Sequence, residues 1–150
     1  MGNVFNQDFQ DFIEALNKAE VKYILVGGYA VILHGYNRST GDMDIWVERS
    51  SENYQRLTQA FRIFGMPVFD MTLTNFLEND QVDVFRFGKP PSSIDIINVL
   101  KGLRFEEAYM QSPFMMVDEL QVRVLSLSLL QEAKRASARA KDLDDLDHLL

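Results

Sequence analysis

Hydrophobic and polar positions change period several times along the chain, and each change marks an element. Phe5, Phe9, Phe12, Ile13 and Leu16 recur at helical spacing, with Asp8, Asp11 and Glu14 between them. That spacing predicts an amphipathic first helix ending near Lys18-Ala19. Tyr23-Ile24-Leu25-Val26 is short, β-rich and almost wholly apolar, which predicts a central strand. Gly27-Gly28 breaks it, and Tyr29 to His34 continues as a short, largely apolar helix ended by Gly35. After the polar loop Asn37 to Gly41 the polarity alternates. Met43, Ile45 and Val47 point one way; Asp42, Asp44, Trp46 and Glu48 point the other. Ser50 or Ser51 caps a helix running to about Phe64, with Leu57, Ala60, Phe61 and Phe64 as its buried stripe. Gly65-Met66-Pro67 stops it.

Residues 68–80 show no clear period. Val82 to Phe87 and Ser93 to Val99 predict two strands joined as a hairpin by Gly88-Lys89-Pro90-Pro91, since Pro fixes φ and Gly permits positive φ. Phe105 to Tyr109 predicts a short helix. Phe114 to Val117 and Val122 to Leu125 predict a second hairpin across Asp118-Glu119, and Ser126 or Ser128 opens a C-terminal helical region, Leu129 to Leu150, bent near Ser137. There is no internal repeat, low-complexity segment or linker, so the reading is one α+β domain over residues 1–150.

Composition narrows the setting. The hydrophobic share of 47% and charged share of 25% are those of an ordinary globular protein. With 0 Cys, a disulfide framework and a thiolate zinc site are excluded, and a reducing, cytoplasmic home fits. The N-terminus has no basic region followed by an apolar run, so no signal peptide is expected. No stretch reaches the roughly 18 apolar residues of a membrane span. Asn6 stands where a myristoylation signal after Met1-Gly2 needs Ser or Thr. The net charge of −7 argues against extended duplex nucleic acid, which calls for a basic face. A small anionic ligand bridged by metal stays open, because the ion inverts the local charge logic.

The candidate chemistry lies between Tyr23 and Glu48. Asp42 and Asp44 are two apart on one predicted strand, so they share a face, roughly 7 Å apart at Cβ. Neighbouring carboxylates on an apolar strand repel and resist burial, and a hard divalent cation resolves both problems. Mg²⁺ takes one or two carboxylates together with water and substrate phosphates. A third carboxylate on an adjacent strand would admit a second ion. Asp83 and Asp95 both qualify, each between β-branched or aliphatic residues; Asp95 is preferred because its strand is the more apolar. Gly27-Gly28 lets backbone approach a ligand and offers outward N–H groups to an anion. It is neither a P-loop nor a dinucleotide fingerprint, since no Gly-Lys-Ser/Thr follows and GxGxxG is absent. Arg38 could clamp a phosphate bidentately and Lys134 could reach it as a point charge. His34 reads as a structural histidine held by backbone, and Trp46 as core. The run Asp142, Asp144, Asp145 and Asp147 reads as a solvated helix face opposite Leu143, Leu146, Leu149 and Leu150.

A strand ending in GG, a helix, an hDhDh strand and a later hDh together resemble the polymerase-beta-like nucleotidyltransferase superfamily. GGYAVILHGYNRSTGDMDIWV is similar to the GGxAxxxHGxxRxTxDxDh stretch of minimal nucleotidyltransferases related to abortive-infection toxin enzymes. SIDIINVLKGLRFEEAY and KRASARAKDLDDLDHL resemble that group as well, so the likeness touches most of the chain from Tyr23 onward. It implies a mixed β-sheet flanked by helices, with a C-terminal helical region. It also implies that Gly27 and Gly28 line an NTP and that Asp42, Asp44 and Asp95 hold metal. Arg38 and Thr40 match the polar positions before the aspartates. Lys134 matches the basic residue of the C-terminal helix, with Arg139, Lys141 and Asp142 in the following motif. One departure is that many members carry Ser directly after the first Gly, where this chain has Gly28.

The resulting expectation is a Mg²⁺- or Mn²⁺-dependent transfer of NMP from an NTP, ATP among the candidates, to an acceptor hydroxyl, with Asp95 as or beside the base. The acceptor could be a small molecule, an RNA end or a protein hydroxyl. One alternative is a non-catalytic nucleotide-binding or antitoxin-type partner on the same scaffold, consistent with the absence of a separate acceptor-binding domain. A metal-dependent phosphodiesterase would need the same carboxylates, and the several His ligands expected for one are missing. The C-terminal leucines also offer a homodimer contact.

Overall fold

The computed structural model describes residues 3–36, 38–88, 92–137 and 140–149, the side chains of 137 and 140–142 excepted. Within them the order is α1 (Gln7–Lys18), β1 (Tyr23–Val26), α2 (Gly27–Leu33), β2 (Met43–Val47), α3 (Ser51–Phe64), α4 (Leu73–Leu77), β3 (Val84–Phe87), β4 (Ile94–Ile97), α5 (Phe105–Gln111), β5 (Phe114–Val117), β6 (Leu120–Arg123), α6 (Leu127–Ser137) and α7 (Ala140–Leu149). The architecture is α+β, as the mixed order of elements predicts. No described helix is long and apolar enough to cross a membrane.

Four strands form one sheet in the order β1-β2-β4-β3, with β2 and β4 parallel and the outer pairs antiparallel. Helix α1 is capped by Asn6, whose side chain accepts from the Phe9 N–H at 2.8 Å. Its stripe Phe9, Phe12, Ile13 and Leu16 is buried, and Phe12 meets Phe61 and Phe64 of α3 edge-on at 5.6 and 5.3 Å. Ser50 caps α3 and Gly65, at φ +89°, ends it. Among the described residues all the buried apolar side chains except Leu146 make one contiguous cluster.

Some expectations need correction. β1 is an edge strand, not a central one. Its all-apolar sequence reflects burial by other means: the segment after β6 closes the open edge, with the Leu125 N–H donating to the Leu25 carbonyl at 3.0 Å. Burial and centrality leave the same sequence signature. β6 starts at Leu120, two residues before the expected Val122, because Asp118 and Glu119 both take positive φ (51° and 67°) and make a tight two-residue turn. The C-terminal region is two helices, α6 and α7, rather than one bent helix; Gln131 at the start of α6 donates to the Leu149 carbonyl at the end of α7, so they run antiparallel. The stretch without a period contains α4, capped by Thr72 and anchored by buried Phe76. In the predicted β3–β4 turn, residues 89–91 lie outside the described residues.

Asn53 ties the site's scaffold together. Fully buried, it accepts from the Lys22 N–H at 2.8 Å and donates to the carbonyls of Lys22 and Glu48, each at 3.0 Å. Asn53→Ala therefore strands three backbone groups, and urea denaturation should show a loss of roughly 2–3 kcal/mol. A second expectation concerns alkaline stability. Burial pushes the Tyr23 hydroxyl up to about 12 from an ordinary 10, so the unfolded chain releases that proton first. Stability should fall between those pH values, and Tyr23→Phe should flatten that limb of the pH–stability curve.

Candidate active site

The chain leaves β1 at Val26, whose side chain makes no capping bond, and turns directly into α2. Gly27 sits at φ +68°, and a Cβ there would overlap the Asp44 carboxylate, whose carbon lies 2.8 Å from that position. Only glycine lets Asp44 lie against this corner. A Cβ at Gly28 would meet Thr40 Oγ1 at 2.6 Å and the Arg38 guanidinium at 3.0 Å. The place a serine would take is thus filled by Thr40 and Arg38, which accounts physically for the departure noted in the sequence.

Strand register brings the acidic residues together. Val26 pairs with Asp44, Asp44 with Asp95, and Asp95 with Arg86, so these four form one row across the sheet. Residues directly opposite share a face. Asp42 sits one residue before β2, held beside β4 by the Met43 N–H donating to the Ser93 carbonyl at 2.9 Å. The Ser93 hydroxyl also donates to Asp42 Oδ1 at 2.6 Å. Asp95 is buried, and Arg86 forks onto it, Nε to Oδ1 at 2.9 Å and Nη2 to Oδ2 at 3.0 Å. The same Nη2 stands 3.9 Å from Asp42 Oδ2. The hydrogen bonds to Asp95 and its charge, joined by the charges of Asp42 and Asp44, push the Arg86 guanidinium above its ordinary value. Tyr29, on the first turn of α2, is raised by burial and then by the charge of Asp42.

Behind the glycine corner lies a buried ionic cluster. Asp145, only 1% exposed, pairs with Lys134 at 3.2 Å and with Arg38. Arg38 Nη2 donates to its Oδ2 at 3.2 Å; Arg38 Nε is 3.1 Å from Oδ1, at an angle too bent for a hydrogen bond. Lys134 and Arg38 thus both pair with the Asp145 carboxylate. Tyr36 locks the same loop to α7, donating to Asp144 at 2.8 Å and stacking on His148 at 3.8 Å. The acidic run is therefore not a wholly solvated face: Asp145 turns inward with Leu146 and Leu149, while Leu143 is exposed.

His34 lies 2.7 Å from the Leu125 carbonyl, the structural role expected of it. Trp46 is core, edge-on to Phe105. Asp83 is exposed just before β3, away from the row. The side chains of Arg139, Lys141 and Asp142 lie outside the described residues. Arg86 and the side-chain role of Ser93 escaped the sequence reading, and Asp145 was placed on a solvated helix face. The register of the β3–β4 hairpin would have paired Arg86 with Asp95. Helical spacing puts Asp145 beside Leu149, and that was the available signal.

Asp42 and Asp44 suit a hard divalent cation by donor chemistry, since such ions take one or two carboxylates together with phosphate oxygens. A closed three-carboxylate cage is not assembled. Among the described residues no group of three His, Asp or Glu side chains is arranged to hold a metal, and the third carboxylate, Asp95, is spoken for by Arg86.

No protein-family model and no curated protein sequence matches this chain. Among solved structures it is similar to the lincosamide antibiotic adenylyltransferase LnuA, solved with lincomycin bound, at a TM-score of 0.61 and 16% identity over 99% of this chain and 98% of that one. The fold is that of the nucleotidyltransferase neighbour, a mixed sheet flanked by helices.

Gly27→Ala should cost roughly 1–3 kcal/mol in thermal or urea unfolding, from positive φ and collision with Asp44 together. Asp145→Ala should cost about 3–5 kcal/mol, because it removes the buried carboxylate with which Lys134 and Arg38 pair.

Proposed function

We propose that this protein is a nucleotidyltransferase that moves a nucleoside monophosphate from an NTP to an acceptor hydroxyl, releases pyrophosphate and uses Mg²⁺ or Mn²⁺. The observation that carries the reading is the Asp44–Asp95 register beside the glycine corner, with Asp42 next to it. The fold likeness to an adenylyltransferase supports it along nearly the whole chain.

Asp42 and Asp44 would hold the divalent ion, which when bound neutralises phosphate charge and orients the reacting phosphorus. The backbone at Gly27 and Gly28, together with Thr40 and Arg38, would face the phosphate oxygens. Lys134 would act on that corner through Asp145, which it shares with Arg38. The acceptor oxygen forms a bond to the α-phosphorus while the bond from that phosphorus to the bridging oxygen breaks. The electron pair leaves on pyrophosphate. The acceptor proton goes to a carboxylate at the site, with Asp95 as the base once it is released from Arg86.

ATP is the first nucleotide to try, given the neighbour's activity, and small-molecule hydroxyls are the first acceptors. The motif likeness to the abortive-infection group adds RNA ends and protein hydroxyls. A cytoplasmic setting, rich in NTP and Mg²⁺, goes with this reading. Leu146 and Leu149, two of the leucines offered to a homodimer contact, are instead buried within the chain. The grip of Arg86 on Asp95 favours a second reading, a non-catalytic nucleotide-binding or antitoxin-type partner.

Transfer of label from α-labelled NTP to a panel of acceptors separates the two. Asp42→Asn and Asp44→Asn should keep the fold, checked by circular dichroism, and lose transfer. Asp95→Asn should slow turnover by ~10²–10⁴-fold, the scale for a lost acid–base group. Undiminished transfer by both Asp42→Asn and Asp44→Asn refutes the assignment. Nucleotide binding without transfer, together with capture of a cognate protein, supports the second reading.

A further inference from the structure

Arg86 is built into the sheet directly opposite Asp95 and is not carried on a loop. Its Nη2 lies 3.0 Å from Asp95 and 3.9 Å from Asp42, between carboxylates that would otherwise share a cation. Asp95 is 6% exposed and has Asp44 as its neighbour across the parallel pair, so it cannot stand bare. Any departure of Arg86 must be an exchange of one cation for another. The Arg86 side chain is itself 54% exposed and can turn outward without disturbing the core. Phosphate offers the guanidinium the same two-oxygen face that carboxylate does.

We infer that Arg86 is the resident cation of the site. It restricts the resting protein to a divalent ion on Asp42 and Asp44, and yields Asp95 to a second ion when nucleotide phosphates receive its guanidinium. This rests on the nucleotidyltransferase reading for the ion and the nucleotide. Arg86 is a positioning residue under it: it governs which cation Asp95 binds. The pairing with Asp95 then describes a resting state, and the same residues serve a catalytic one.

The test is Mn²⁺ binding to the full chain, read by electron paramagnetic resonance of the free ion, with and without an ATP analogue carrying an α,β-methylene bridge. Wild type should take one Mn²⁺ alone and a second with the analogue. Arg86→Gln should take the second without nucleotide, its affinity raised by about tenfold or more, the scale for altering a group around a metal ligand. The double variant Arg86→Gln/Asp95→Asn should return to one. Arg86→Lys keeps the charge but not the fork, and should fall between wild type and Arg86→Gln. Melting in chelator establishes that each variant is folded, and Arg86→Lys carries the comparison if Arg86→Gln is not. If Arg86→Gln and Arg86→Lys bind Mn²⁺ as wild type does while Asp42→Asn loses it, the inference falls and the proposed function stands. If Asp42→Asn binds Mn²⁺ like wild type, or wild type binds none with the analogue, both fall.

Discussion

Like charge placed side by side is the constraint around which this molecule is arranged. Parallel pairing of β2 with β4 sets Asp44 against Asp95, and the loop into β2 adds Asp42. Unpaired like charges on adjacent strands repel, on the order of a few kcal/mol at an effective dielectric of ~20. The surrounding chain answers with Arg86 on one flank, the Ser93 hydroxyl on Asp42, and a glycine where any side chain would cover Asp44.

The rest of the fold holds that row in place. β1 would be an open edge but for Leu125, and His34 anchors α2 to the same residue's carbonyl. One segment thus fixes both the strand before the glycine corner and the helix after it. On the other side, α7 reaches back to the loop before Asp42 through Asp145, Asp144 and His148. The glycine corner is therefore shaped by residues more than a hundred positions away. A change in the packing of α6 on α7 would be felt at Arg38 before it was felt in the sheet.

Architecture and chemistry are separate questions here. A likeness at 16% identity speaks for the fold, while function resides in particular side chains. Arg86 is the residue on which the two functional readings part. As a permanent partner of Asp95 it would leave a scaffold that binds without turnover. As an exchangeable one it would hold a buried carboxylate safely until substrate arrives.

The hydrophobic periods of α1 and α3, the glycine corner and the β3–β4 hairpin were legible in the sequence, because local spacing and turn chemistry specify them. The strand order leaves Asp44 and Asp95 in register on neighbouring strands, while the three-carboxylate cage expected with Asp42 is not assembled among the described residues. What stayed hidden depended on partners distant along the chain. An apolar strand says that it is buried, not what buries it, so β1 was misplaced in the sheet. An aspartate on an amphipathic helix looks solvated until Lys134 and Arg38 arrive to neutralise it, so Asp145 was misread. Arg86 carried no signal of its own, because its pairing with Asp95 is settled by strand register. Sequence alone offered the residues that could do chemistry here; tertiary structure decided which charged groups each of them meets, because ion pairs form between neighbours in space.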